Sequence, residues 1–194
     1  MALAFPVAAQ LPAPKTPITQ NPKPGEPSIL KLSTPKNLAL PDFTFKGLRR
    51  ADLKDDVMLI HIFGTWCPSC KIDHPLILSL KQYDIPLYGI AIFDTPTDTE
   101  NFFKTAKNPY QRIGYDREAA SLDTLGLAGV PATLLVTHDK NAKDPKTAWK
   151  IVWLLNGDLS KDHVLENDLI PAIKVLKQKS KNVSRETKGE QKLK

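Results

Sequence analysis

The chain has 194 residues, the size of one globular domain with room for extended ends but not for two full cores. Its net charge of +6 belongs to the C-terminus: residues 174–194 hold 8 Lys and Arg against 2 Glu, whereas residues 41–173 hold 15 basic and 18 acidic side chains. A mildly acidic body argues against nucleic acid as a partner, and no window reaches the roughly 18 unbroken apolar residues that a membrane-spanning helix needs.

Nine of the 17 prolines fall within the first 41 residues. That spacing favours extended, solvated backbone, so residues 1–37 read as a Pro-rich leader or linker, partly disordered. The start, MALAFPVAAQ, lacks a basic n-region and is too short for a complete signal peptide; it reads as the stump of a trimmed export segment. From Ser28 onward Ile29, Leu30, Leu32, Leu38 and Leu40 return, and this part is expected to pack.

Residues 57–63 (VMLIHIF) suit a buried strand, followed through GTWCPSC by a helix in which Ile72, Leu76 and Leu80 recur at helical spacing. Pro75 is expected to bend that helix, because it cannot bond the carbonyl of Lys71. Residues 87–93 (LYGIAIF) predict a second buried strand. Thr97 with Glu100 three residues on predicts the cap of a helix whose inner face carries Phe102 and Phe103. Strands are predicted at 132–137 and 149–155, joined by a polar hairpin loop too long for a tight turn. An amphipathic helix is predicted over 164–176 with Leu165, Leu169, Ile173 and Leu176 as its stripe. The order strand, helix, strand, helix, strand, strand, helix implies an α/β sandwich over residues 38–177 with parallel and antiparallel pairings in one sheet. Residues 178–194 have little to bury and are expected to be a disordered basic tail, solvated rather than bound to lipid.

Cys67 and Cys70 are the only cysteines and stand three positions apart in Trp66-Cys67-Pro68-Ser69-Cys70, between a strand and a helix. Pro68 is tolerated in the first helical turn and fixes the helix start there. Cys67 then lies where free backbone N–H groups and the positive end of the helix dipole converge, which favours the thiolate by roughly 1 kcal/mol. Thiolate is the nucleophile, so Cys67 is the expected attacking sulfur, and Cys70, one turn inside the helix, the shielded one that resolves the mixed disulfide. Trp66 is expected to flank an exposed sulfur and contact the partner. A structural disulfide would rarely close so small a loop, and a zinc site would have to recruit His61 and His74 at unusual spacings.

Asp73 and His74, one turn along from the sulfurs, read as solvated helix residues; Asp73 has the alternative role of accepting the proton that Cys70 loses. His61, six residues before Cys67, reads as a satisfied core residue rather than a base, although alternation along VMLIHIF does not settle which way it points. Pro131 precedes a buried strand. Most X-Pro bonds are trans, but a cis Val130-Pro131 bond would turn the Val130 backbone outward to pair with an extended substrate beside Cys67.

These residues resemble the thioredoxin fold: WCPSC after a buried strand, Pro75 in the following helix and GVPAT at 129–133 before another strand. More narrowly, GTWCPSCKIDHP, AsnProTyr at 108–110, GLAGVP and NGDL at 156–159 are similar to the DsbE/CcmG type of exported thiol:disulfide oxidoreductases of cytochrome c maturation, over about residues 38–177. The resemblance implies a thioredoxin-like three-layer sandwich with a mixed central sheet. It matches Cys67 to the nucleophile, Cys70 to the resolving cysteine, Pro131 to the cis-proline and Asp73 to an acidic residue of the active-site helix, usually Glu in relatives.

It further implies a monomeric periplasmic reductant with no cofactor or metal beyond the Cys67–Cys70 disulfide, anchored to the inner membrane in its full-length precursor. Its partners would be protein thiols and disulfides: apocytochrome c or a maturation partner, and a membrane electron donor of the DsbD/CcdA type. Ala132 stands where many relatives carry Glu. Two alternatives fit the same residues: a periplasmic disulfide oxidase or isomerase of the same fold, and a metallochaperone that binds metal through both cysteines and a histidine.

Overall fold

A computed structural model describes residues 38–144 and 147–190, with side chains as far as 182. The expected leader, residues 1–37, lies outside the described residues. Eight strands and four α-helices follow in chain order: β1 (Leu38–Ala39), β2 (Thr44–Phe45), β3 (Leu48–Arg49), β4 (Val57–Phe63), α1 (Pro68–Ser79), β5 (Leu87–Ile92), α2 (Pro96–Phe103), β6 (Arg112–Asp116), α3 (Ala120–Leu125), β7 (Ala132–His138), β8 (Trp149–Asn156) and α4 (Ile170–Glu190). Strands β2 and β3 form a small hairpin; the others make one six-stranded sheet in the order β1-β8-β7-β4-β5-β6.

β4 lies inside this sheet, parallel to β5 and antiparallel to β7. All seven of its residues are buried, which is why its sequence is apolar at every position but His61 rather than alternating. Its side chains divide by parity. Met58, Ile60 and Ile62 enter one core with Leu48, Leu53, Ile90 and Leu134, and Leu122 and Leu125 of α3 pack against it. Val57, Leu59 and Phe63 enter the other, with both cysteines, Ile77 of α1 and Ile173 of α4. Each fully buried aliphatic side chain contributes about 1.5–3 kcal/mol, so this strand anchors both helical layers. The result is a three-layer α/β sandwich with a mixed sheet.

In the β7–β8 pairing, Leu135 opposes Trp153 while Val136 opposes Ile151, so Val152 is an extra residue on β8. The bulge reverses the alternation: Ile151 packs with the β2–β3 side, whereas Trp153 and Leu155 pack with the α1–α4 side.

Several boundaries differ from the sequence expectations. The cap of α2 is Thr95, not Thr97: Thr95 and Asp98 form a reciprocal capping box, and Pro96 occupies the first turn, where its missing N–H costs nothing. The stripe of Leu165, Leu169 and Ile173 is buried as expected, but it begins in a π-helical turn (Leu165–Leu169) before α4. α4 then continues to Glu190, where a disordered tail was expected from residue 178. Lys, Arg, Gln and Glu are good helix formers, and extending an existing helix needs no new nucleus. Residues 191–194 of the expected tail lie outside the described residues.

Candidate active site

The chain leaves β4 at Phe63, turns through residues 64–66 and enters α1. Gly64 makes room for the Trp66 indole, since a Cβ there would stand 2.5 Å from Trp66 Nε1. Three hydrogen bonds tie the turn to the end of β5. The Thr65 N–H and hydroxyl donate to the two oxygens of Asp94 at 2.7 and 2.8 Å, and Trp66 Nε1 donates to the Ile92 carbonyl at 3.1 Å. Burial raises the Asp94 carboxyl above its ordinary range, opposed by the two Thr65 donors.

Cys67 is the N-cap of α1, with Pro68 at its first position as the sequence predicts. The Cys67 Sγ accepts the Cys70 backbone N–H at 3.3 Å, satisfying one of the orphan donors of the first helical turn. On its other side it lies 3.7 Å from the Val130 carbonyl oxygen, to which its S–H is directed. The Val130-Pro131 bond is cis. Both cysteines are free thiols. Cys67 is only 4 % exposed, which corrects the expectation of an exposed sulfur, while its neighbour Trp66 is 51 % exposed. Cys70 is as deeply set, and burial first, then its contact with Cys67, pushes its thiol well above the ordinary range, with the charge of Asp73 adding to the effect.

The end of β8 and the segment after it hold this site together. Asn156 accepts the Ala128 N–H at 2.7 Å and donates to the carbonyls of Gly129 and Pro131 at 2.8 and 3.4 Å, holding the loop that carries Val130. Leu159 and Ser160 donate their backbone N–H groups to Asp73 at 2.9 and 3.3 Å. Asp73 is therefore fully buried, not solvated, and burial raises its carboxyl to about 6 against the pull of those two donors.

His61 shares the sheet face of Phe63 and the cysteines. Its Nδ1 pairs with the Tyr110 hydroxyl at 2.7 Å, and Phe63 stacks on Tyr110 with ring centroids 4.9 Å apart. Burial lowers the His61 imidazole to about 3, so the ring is neutral at physiological pH. Its Nε2 and the hydroxyl of Thr133, its register partner on β7, have no hydrogen-bond partner. His74 is half-buried rather than solvated, packing edge-on against Phe102 at 5.3 Å. Among the described residues no three Cys, His, Asp or Glu side chains cluster as a metal site would require.

The structure thus brings Trp66, Cys67, Pro68, Cys70, Asp73, Val130 and Pro131 to one place. Sequence reasoning missed Asp94, Tyr110, Asn156 and Phe93. For Asn156 the signal was its turn-forming Asn-Gly-Asp context, and for Tyr110 an aromatic residue just before a strand; Asp94 and Phe93 carried none.

No protein-family model matches the chain. It is similar to the thiol:disulfide interchange protein HelX of Rhodobacter capsulatus, with 36 % identity over 87 residues, covering 44 % of this chain and 49 % of that protein. The thiol:disulfide interchange protein DsbE of Pseudomonas aeruginosa is 34 % identical over 91 residues, 47 % of this chain and 51 % of that one. The chain spans about half the length of the curated relatives it matches. Among solved structures it resembles a candidate DsbE-type thiol:disulfide interchange protein from Chlorobium tepidum, with TM-score 0.54 and 17 % identity, covering 71 % of this chain and 96 % of that one. The thioredoxin domain of a thiol-disulfide oxidoreductase from Bacteroides vulgatus gives TM-score 0.50 and 20 % identity over 70 % and 95 % of the two chains. At such identities the likeness establishes the fold, which is thioredoxin-like.

Proposed function

We propose that this protein is a thiol:disulfide oxidoreductase that reduces protein disulfides in the periplasm, with apocytochrome c or a thiol protein of its maturation as substrate. The observation that carries this reading is the Cys67 sulfur at the N-cap of α1, accepting the Cys70 N–H at 3.3 Å and facing the Val130 carbonyl ahead of Pro131. The Cys67 thiolate attacks one sulfur of the substrate disulfide. A Cys67–substrate disulfide forms, the substrate S–S bond breaks, and the departing sulfur leaves as a thiolate and takes up a proton. Cys70 then loses its proton and attacks Cys67 Sγ, releasing the second substrate thiol and leaving the Cys67–Cys70 disulfide. Two electrons pass to the substrate, and a membrane donor of the DsbD/CcdA type returns them.

Cys70 holds its proton tightly because it is buried, so the second attack needs a base. Asp73 follows one turn along α1 and titrates at about 6, close enough to neutrality to accept that proton and pass it on. Names shared with thiol:disulfide interchange proteins support the redox chemistry, and the resemblance to the cytochrome c maturation type supports the substrate.

The test is reduction of a peptide carrying an oxidised Cys-x-x-Cys-His site by the thiol form of the protein. The wild type should turn it over, Cys67→Ser should not, and Cys70→Ala should accumulate a mixed disulfide visible as the summed mass. Trapping with Cys70→Ala in a periplasmic extract should recover apocytochrome c or its maturation partners. Failure of wild-type reduction overturns the oxidoreductase reading. A potential far more oxidising than about −200 mV would assign it to the oxidase class instead.

A further inference from the structure

Phe93 breaks two rules at once. Its φ of 55° lies in the left-handed region, disfavoured for a bulky side chain, and its ring is 59 % exposed, so burial does not compensate. Glycine or asparagine would hold this backbone more easily. The conformation is enforced by its surroundings: the Phe93 N–H donates to the Asp116 carbonyl at 3.2 Å, and its neighbour Asp94 grips Thr65. The ring meets Trp66, with centroids 6.2 Å apart and planes tilted by 44°. Trp66 and Phe93 are two of five exposed large hydrophobics among the described residues, and Trp66 adjoins Cys67. Their loops are bound together through Asp94–Thr65 and Trp66–Ile92, so the two rings form a fixed platform.

The surface residues next to the two rings, Thr65, Pro68, Ser69, Thr95 and Pro96, are uncharged, and exposed charges begin farther along, at Lys71 in α1, Asp98 in α2 and Arg117 after β6. Cys67 is nearly covered, so a disulfide that reaches it must seat its flanking residues on this rim. A neutral, rigid aromatic surface favours apolar over charged side chains and loses little conformational entropy on contact.

We propose that Trp66 and Phe93 form a specificity platform that selects extended partner segments with an aromatic or large aliphatic side chain immediately beside the disulfide-bonded cysteine. This rests on the reading of Cys67 as the attacking sulfur. Phe93 is the specificity-determining member, because its ring stands exposed beside Trp66 while the Trp66 indole is itself tied to the Ile92 carbonyl.

The experiment compares two disulfide peptides that differ only at the residue beside the attacked cysteine, Phe in one and Glu in the other. The kcat/KM of the wild type should favour the Phe peptide roughly tenfold. In Phe93→Asn, whose side chain suits the left-handed backbone, that ratio should collapse toward one. Equal turnover of both peptides by the wild type overturns the platform, and so does an undiminished ratio in Phe93→Asn. No turnover of either peptide or of hydroxyethyl disulfide by the wild type sinks the oxidoreductase reading itself. Sedimentation showing a wild-type dimer that Phe93→Asn dissolves, without peptide discrimination, would make the patch a self-association face and also overturn the proposal.

Discussion

Asp73→Asn should change the pH dependence of stability. In the folded protein the Asp73 carboxyl titrates at about 6, against 3.8 when unfolded, with burial the first cause. Below 3.8 both states are protonated and the group is neutral with respect to folding. Between 3.8 and about 6 the unfolded chain ionises while the native state keeps its proton, so the native state binds more protons and stability falls as pH rises. Above about 6 the loss is complete, at roughly 3 kcal/mol for the whole interval. Asn cannot ionise. It presents one acceptor to the two N–H groups of Leu159 and Ser160, which costs about 1 kcal/mol at every pH. Urea unfolding of the reduced wild type and variant, in a phosphine reductant, should therefore shift in favour of the variant by about 2 kcal/mol between pH 4 and pH 7.5. Parallel pH curves for the two proteins would refute a buried, proton-holding Asp73 and remove it as the base for Cys70.

Gly64→Ala should drive the Trp66 indole off the Ile92 carbonyl, because the new Cβ would stand 2.5 Å from Nε1; an unmoved indole N–H resonance in a proton–nitrogen spectrum would contradict this. Tyr110→Phe should cost about 1–3 kcal/mol in urea unfolding by leaving His61 Nδ1 buried without its partner, and an unchanged midpoint would speak against that bond. His61 is neutral above pH 5, so His61→Asn should leave the inflections of the pH–rate profile for thiol exchange in place. A moved inflection there would make His61 part of the proton path.

The central elements could be read from sequence because burial on both faces wrote itself into nearly continuous apolar runs at β4, β5 and the first five residues of β7, while β8, only partly buried, still carries an apolar-rich run. The peripheral ones could not. β6 is an edge strand paired with β5 and bridged on its other side by Tyr115–Lys46, and its buried positions are Gly114 and Asp116, residue types that do not mark a strand. α3 lacks a local cap: Asp116, on the preceding strand, accepts the N–H groups of Ala120 and Ser121. Thr95 and Thr97 each head a plausible capping box, and Pro96 decided between them. At the site, the reactive turn was legible because Cys and Pro in sequence order define the helix start. Its supports were not, since Asp73 is held by Leu159 and Ser160, more than eighty positions away, and Thr65 by Asp94 across two elements.

The bulge at Val152 makes one point in this sheet tolerant of a change in chain length. Excising Val152 would leave every existing β7–β8 partnership intact, from His138 with Trp149 through Ala132 with Asn156, and would merely straighten the ladder. Losing Ile151 or Trp153 is absorbed in the same way, because Val152 moves into the vacated place opposite Val136 or Leu135 and Leu155 keeps its layer. The segment that carries Asn156, Leu159 and Ser160 to the cysteines thus keeps its register through a spare residue upstream, so homologous chains can differ by one residue at this point without displacing the reactive centre.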